Sequence, residues 1–238
     1  MQDPVALILA GGRGTRIAHL HPNLPKPAVP VAGKPFLAHL LNQLSLAGLE
    51  RIVISTGHLG DVLEAATRPW IPDGIEIRWV REEVALGTGG GASWAAMRSN
   101  WSPQRWLIMN GDSFLSGDWT QFLPSESGAA LIARKVPDVS RYGSLMFRGN
   151  QLLAFSEKST RGPGWINAGI YLLPTEWMTE IEIGLPSSLE TDWFPRWLGN
   201  GRKITVFFSE GRFLDIGTPE SLATADDFFG PKVAGYRE

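Results

Sequence analysis

The first thirty residues bring together two groups suited to holding phosphate, Ala10-Gly11-Gly12-Arg13-Gly14-Thr15-Arg16 and Pro25-Lys26-Pro27. Glycines let backbone N–H groups close around oxygen atoms with no Cβ in the way. Arg16 offers a planar fork of donors and Lys26 a point charge, both matched to a triphosphate and to the charge that grows on a departing pyrophosphate. The two prolines restrict the chain around Lys26 and aim it. Two better-known phosphate loops fail here. A P-loop needs Gly-Lys-Ser/Thr after four intervening residues, and no such lysine follows. A dinucleotide fingerprint needs a third glycine and an acidic residue about 20 positions on, and both are missing. A plain solvent-facing turn is the ordinary reading of a lone Gly-Gly, but Thr15-Arg16 and Pro-Lys-Pro weigh against it.

Other chemistries have little to work with. With no cysteine there is no thiol nucleophile, disulfide or Cys-based zinc site, which suits a reducing cytoplasm. The four histidines, His19, His21, His39 and His58, show no metal-ligand spacing and are expected at the surface or in packing.

The surrounding elements place the loop. Val5–Leu9 is a short apolar run before glycines, as in a buried parallel strand. The spacing over 36–48 predicts a helix, RIVIST a strand, 59–67 a short helix and IEIRWV a strand. A glycine-rich loop then leads to a helix near 92–98, and RWLIMNGDS is another buried strand. This alternation predicts an open α/β sheet with ligands at the strand C-terminal ends. After Asp118 the texture changes to successive strands, AALIARKV, YGSLMFRG, QLLAFSEK and WINAGIYLL, read as a meander on or beside the sheet. PTEWMTEI and SSLETDWFPRWL read as helices, KITVFFSE as a strand and TPESLATADDFF as a closing helix capped by Thr218, before a loosely held tail. No linker marks a boundary. The expectation is one domain over 1–238, with 1–117 mainly nucleotide-binding and 118–230 mainly sugar-binding.

The chain has 238 residues, 43% apolar and 19% charged, with a formal net charge of −2. That balance disfavours bulk nucleic-acid binding. No apolar run approaches the ~18 residues of a membrane span, and the N-terminus has no basic region of a signal peptide. A cytoplasmic enzyme is expected. The ten tryptophans are scattered and mark no repeat.

Taken in order, LAGGRGTR, PKPAVPVAGKP, ALGTGGG, MNGDS, RYGSL, FSEK, INAGIYLL, SLETDWFP and FLDIGTPE resemble the sugar-1-phosphate nucleotidylyltransferases over nearly the whole chain. Gly-Thr-Gly-Gly, Ser-Leu-Glu-Thr-Asp and Asp-Ile-Gly-Thr-Pro are most similar to the small bacterial enzymes that activate heptose 1-phosphate with GTP. The resemblance implies an α/β, Rossmann-like nucleotidyltransferase fold, with a mixed, mostly parallel central sheet flanked by helices and a small sugar-binding β-rich insertion. It also implies attack by a sugar 1-phosphate oxygen on the α-phosphorus of a nucleoside triphosphate. That nucleophile is already an anion, so alignment and neutralisation are needed rather than a strong base.

By that resemblance Arg16, Lys26 and Asp112 are catalytic, and residues 10–16, Lys26, Glu83, Gly87 and Thr88 bind nucleotide. Asp112, where a buried strand ends, and Asp215 would hold Mg²⁺, which takes a couple of carboxylates plus phosphate oxygens and water. Asn110, Gly143, Glu157, Lys158 and Asn167 fall on the sugar-phosphate side. Glu190 and Asp192 are weaker candidates, since SSLETD also reads as a helix start. Ile17, Ala85 and Ser113 depart from the usual pattern without removing a charge, and Ala85 bears on the base loop. Mannose 1-phosphate guanylylation and aminosugar uridylylation stand as alternatives, as does a non-catalytic sugar-nucleotide sensor; a dehydrogenase is a distant third. The partners expected are the triphosphate and the sugar 1-phosphate, with no nucleic acid or membrane and a homodimer left open. No C-terminal repeat region, and hence no acyltransferase or regulatory domain, is expected.

Overall fold

The computed structural model describes residues 4–12, 14–117, 122–123, 128–140, 142, 144–156 and 161–230. Its spine is a nine-stranded sheet. The first strand, β1 (Val5–Ala10), is fully apolar and lies between two parallel neighbours. After it come a two-residue ladder of β2 (Pro30–Val31) and β3 (Lys34–Pro35), helix α1 (Phe36–Leu46), β4 (Arg51–Thr56), α2 (Gly60–Thr67) and β5 (Glu76–Arg81). Helix α3 (Gly87–Arg98) then crosses to β6 (Arg105–Asn110), which is followed by the short β7 (Ser113–Leu115). The order β5-β4-β1-β6 means that the chain first builds outward on one side of β1 and then returns to the other. Such a reversal leaves a crevice beyond the C-terminal ends of the central strands.

The strands after residue 118 continue this sheet instead of standing beside it. They are β8 (Ala129–Val136), β9 (Ser144–Arg148), β10 (Gln151–Ser156), β11 (Gly164–Pro174) and β12 (Ile204–Ser209). They extend the order as β6-β11-β8-β12-β10-β9. The pairs are parallel from β5 to β6 and between β8 and β12, and antiparallel elsewhere. Helices α4 (Thr175–Met178) and α5 (Phe194–Gly199) follow β11, and a five-residue π-turn, Leu189–Trp193, leads into α5. Finally β13 (Phe213–Asp215) pairs with β7, before α6 (Pro219–Ala223) and α7 (Ala225–Phe228). Thr218 caps α6 in a capping box with Ser221.

Pleating sends alternate residues of each strand to opposite faces. Ala6, Ile8, Ile52, Ile54, Leu107 and Met109 pack with α1 residues such as Leu37 and Leu40. Val5, Leu7, Val53 and Ile108 pack instead with Ala92 and Ala95 of α3, and with Trp177, Phe194 and Trp197. The sheet is therefore covered on both sides, as its near-continuous apolar strands require.

The helix expected near 92–98 starts earlier, at Gly87, and takes in the glycine run. The closing helix is split in two at Thr224. Of the histidines, His19 and His58 are exposed, whereas His39 is 2% exposed on α1. Its ring stacks on Phe229 at 3.8 Å, and Nε2 lies 2.9 Å from the Val31 carbonyl, so that nitrogen carries the proton. Burial, aided by Lys34, outweighs the Val31 hydrogen bond and Asp226 and lowers the His39 pKa to about 4. Between pH 6.5 and 4 the unfolded chain then binds the proton that the folded chain refuses, so stability is lost as pH falls through that window. The loss is expected to reach roughly 3 kcal/mol at pH 4. Urea unfolding across pH 4–7 should show it, and His39→Gln, which keeps a donor and does not titrate, should flatten the profile relative to wild type.

Candidate active site

A crevice of about 290 Å³ opens where β1, β5 and β6 end. Leu9, Ala10, Gly11, Gly12 and Gly14 form one wall, Lys26 and Pro27 another, and Asn110, Gly111 and Asp112 a third. Gly11, Gly12, Glu82 and Ala85 also border a broader hollow of about 870 Å³ that reaches Thr15, His21, His58 and Glu83. The two spaces are thus contiguous. Residues 10–12, Gly14, Thr15, Lys26, Gly87, Thr88, Asn110 and Asp112, all singled out from the sequence, border them, whereas Asn167 and Asp215 border neither. Arg13, Gly143, Glu157 and Lys158 lie outside the described residues.

Lys26 heads a short 3₁₀ turn between its prolines and is only 9% exposed. Its ammonium meets Asp112 Oδ2 at 2.8 Å. Asp215 reaches the same place from the far end of the chain, because β13 pairs with β7 in the register Asp215↔Ser113. The Ile216 N–H also donates to the Asp112 carbonyl at 3.0 Å. Burial first, and then the charge of Asp112, raise the Asp215 pKa, against the Gly217 N–H, Lys26 and Arg16. Arg16 is exposed, with its guanidinium over Gly217: a Cβ added there would stand 3.2 Å from Nη2. Two half-buried carboxylates, with the charge of Asp112 adding to the proton affinity of Asp215, form a site short of positive charge. Their oxygens are hard donors, so they fit a Mg²⁺ ion completed by phosphate oxygens and water. No cluster of three or more His, Asp or Glu suited to a metal occurs among the described residues.

The floor of the crevice holds a residue that the sequence reading passed over. Glu82 is 7% exposed, and its carboxylate lies so close beneath Gly11 that a Cβ there would stand 2.4 Å from Oε1. Ser55 Oγ donates to Oε1 at 2.7 Å and the Leu86 N–H to Oε2 at 3.0 Å. Its neighbour Glu83, the residue singled out, is exposed and borders only the outer hollow. Strand alternation carries the signal: Val80 points in, Arg81 out and Glu82 in.

The glycine-rich segment proves to be a packing surface as much as a ligand loop. Gly87 has φ +71°, and a methyl group on it would stand 2.5 Å from the Ser187 carbonyl oxygen. That carbonyl accepts from the Gly89 N–H at 2.9 Å and the Gly90 N–H at 3.3 Å. It therefore occupies the start of α3, where an anion would otherwise find free donors. Thr88 still borders the crevice, while its hydroxyl donates to Glu190 at 2.6 Å. On the other side, β11 carries a bulge between Asn167 and Tyr171. Within it Gly169 has φ +72° and leaves room for the Asn110 side chain, since a Cβ there would stand 2.4 Å from Nδ2. Asn167 lies two residues before it, half-buried, accepting from the Gly169 N–H at 3.0 Å.

Known proteins share this arrangement. The nucleotidyl transferase family profile matches residues 5–230, so the chain belongs to that family. A crystal structure of HddC from Yersinia pseudotuberculosis complexed with GMP-PN superposes with a TM-score of 0.82 at 30% identity, covering 94% of this chain and 98% of that one. A mannose-1-phosphate guanylyltransferase of Mycobacterium tuberculosis is 34% identical over 98% of this chain and 68% of its own length. The D-glycero-alpha-D-manno-heptose 1-phosphate guanylyltransferase of Aneurinibacillus thermoaerophilus is 28% identical over 92% of this chain and 96% of its own. The protein is thus an enzyme of the sugar-1-phosphate nucleotidylyltransferases, moving a nucleotidyl group from a nucleoside triphosphate to a sugar 1-phosphate. For that family a divalent cation, commonly Mg²⁺, is expected. No helix among the described residues is long and apolar enough to cross a membrane.

The carboxylate pair has a measurable cost. At pH 7 the fold holds Asp215 ionised against burial and Asp112, so Asp215→Asn should melt at the wild-type temperature or above it. The amide oxygen can keep the Gly217 hydrogen bond. Calorimetry in chelator-treated buffer checks this, and a clear drop in melting temperature would mean that attraction to Lys26 and Arg16 dominates.

Proposed function

We propose that the protein transfers GMP from GTP to D-glycero-D-manno-heptose 1-phosphate, with release of pyrophosphate, in bacterial surface glycan synthesis. The observation that carries the nucleotide assignment is the Glu82 carboxylate on the crevice floor. An ionised carboxylate only accepts hydrogen bonds. Guanine offers two adjacent donors at N1 and N2, whereas uracil or thymine offers a single N3–H flanked by carbonyl oxygens that a carboxylate repels. Ser55 and Leu86 fill one acceptor position on each oxygen, which leaves capacity on both. The heptose assignment draws support from the HddC structure and from the heptose relative of Aneurinibacillus thermoaerophilus. The 34% identity to the mycobacterial enzyme favours mannose 1-phosphate as the second reading.

In this reading residues 1–117 mainly serve the nucleotide and 118–230 the sugar. The loop from Ala10 to Arg16, with Lys26, cradles the triphosphate, and Thr88 and Gly87 line its base side. Glu83 sits at the outer rim. Asn110 and Asn167 serve the sugar phosphate, as Gly143, Glu157 and Lys158 would by the family resemblance. Asp112 and Asp215 hold Mg²⁺, which when bound neutralises phosphate charge between the two anionic substrates. A sugar 1-phosphate oxygen bonds to the α-phosphorus, the bond to the bridging oxygen breaks, and pyrophosphate leaves with that electron pair. Lys26 must exchange Asp112 for phosphate as the nucleotide arrives, and Arg16 closes from the exposed side.

The deciding experiment sets GTP, UTP, dTTP and ATP against heptose, mannose and N-acetylglucosamine 1-phosphates and reads pyrophosphate release. GTP with heptose 1-phosphate should give the highest kcat/KM, and a clear preference for UTP would remove the guanine reading. Glu82→Gln should lower kcat/KM for GTP by about 10–100-fold, as expected for a lost charge-assisted hydrogen bond, and narrow its lead over UTP. Lys26→Ala should cut kcat by about a hundredfold with a smaller change in GTP affinity, if the lysine meets charge that grows on the leaving group. Asp112→Asn should lower turnover by a comparable factor at saturating Mg²⁺. Unchanged kcat in either variant would return that residue to a supporting role.

A further inference from the structure

The described hydrogen bonds run from Thr88 on the crevice wall to Asn167 on β11 through one half-buried carboxylate. Glu190 Oε2 accepts from Thr88 Oγ1 at 2.6 Å and from Ser188 Oγ at 2.8 Å. Its Oε1 accepts from the Tyr171 hydroxyl at 2.7 Å. A tyrosine hydroxyl has one proton, so Tyr171, having given it to Glu190, can only accept from Asn167 Nδ2 at 2.5 Å. The direction of every bond is fixed in this way. Asn167 Oδ1 faces the Gly169 N–H, and its second amide proton has no partner among the described residues. Tyr171 is wholly buried; burial first, and Glu190 next, raise its pKa well above the ordinary phenol value, so the hydroxyl keeps its proton throughout.

One end of this chain lines the crevice, and the other lies next to a residue that lines it. Thr88 borders the crevice and also takes the Leu189 N–H at 2.9 Å, which ties the π-turn to the start of α3. Asn167 stands beside the bulge that holds Asn110. Tyr171 itself is packed against Phe194, with ring centroids 5.1 Å apart, and touches neither space.

We propose that Glu190 and Tyr171 are positioning residues that couple the two substrate subsites: the chain Thr88–Glu190–Tyr171–Asn167 makes occupation of either side tighten the other. This rests on the reading above, with nucleotide on the Thr88 side and sugar phosphate on the Asn167 side. A ligand that accepts from the Asn167 amide polarises the bonds behind it and fixes the Thr88 rotamer that the nucleotide meets. The effect is reciprocal, because coupling free energy belongs to the pair of ligands.

The test is calorimetric titration with a non-hydrolysable GTP analogue and with D-glycero-D-manno-heptose 1-phosphate, each alone and each in the presence of the other, at fixed Mg²⁺. Wild type should bind either ligand about tenfold more tightly when the other is present. Tyr171→Phe keeps the buried ring and removes only the hydroxyl, so its affinity for the analogue alone should stay within twofold while the tenfold gain disappears. Glu190→Gln, which keeps the shape but cannot accept from all three hydroxyls as a carboxylate does, should lose the gain as well. A structural role alone would shift single-ligand affinities and melting temperature and leave the ratio intact. Retention of the gain in both variants, or its absence from wild type that binds each ligand alone, overturns the coupling and leaves the site assignment standing. A flat titration of wild type with either ligand removes the site assignment and the coupling with it.

Discussion

Two carboxylates brought close in a half-buried place repel, and much of this structure serves to hold them there. Asp112 is fixed by the end of β6, a strand buried on both faces, and Asp215 by a three-residue ladder that closes against β7. Burial first, and the charge of Asp112 next, raise the proton affinity of Asp215 there. The fold answers with the Lys26 ammonium, locked between prolines at 2.8 Å from Asp112, and with Arg16 above Gly217. The result is a balance that, in the proposed function, an incoming metal–triphosphate would tip, because it would bring cation and anion together and release Lys26 to the phosphates.

A second constraint runs through the glycine run of α3. Glycine costs a helix interior about 1 kcal/mol per residue relative to alanine, so five successive positions that include four glycines argue against a helix from local propensity alone. The segment 185–188 supplies the compensation. Its carbonyls approach Gly87 and Gly90 more closely than any side chain would allow, and Ser187 satisfies the first free N–H groups of the helix. The same segment delivers Glu190 to Thr88.

Those two features also mark where sequence reading succeeds and where it stops. The parallel strands and the places of the glycine loop, Lys26 and Asp112 on the crevice wall were legible, because glycine, proline and apolar runs act locally through backbone freedom and burial. The start of α3 was not legible, since a partner nearly a hundred residues away overrides local propensity there. Glu82 was lost to its neighbour Glu83 because the two are chemically identical, and only the pleat of β5 separates the buried one from the exposed one. The strands after 118 read as an addition beside the sheet. Their hydrophobic alternation is the same whether they form a separate layer or extend the existing one. Glu190 read as a helix start, and only the tertiary structure reveals its three hydroxyl donors.

The eleven-residue strand β11 has a wider consequence. It pairs with β6 from the first half of the chain over Ile170–Pro174, and with strands from the second half, β8 on both sides of its bulge and β9 at Ile166. A strand sewn into both halves leaves no seam at which they could rotate as rigid bodies, so any tightening around substrates must come from loops. Nor can the halves be exchanged as cassettes between relatives. A chimera cut near residue 118 would have to rebuild the Ile170↔Met109 register of its central ladder. In the proposed function, new sugar specificity is therefore more accessible through single side chains around the bulge than through swapping the wall that carries them.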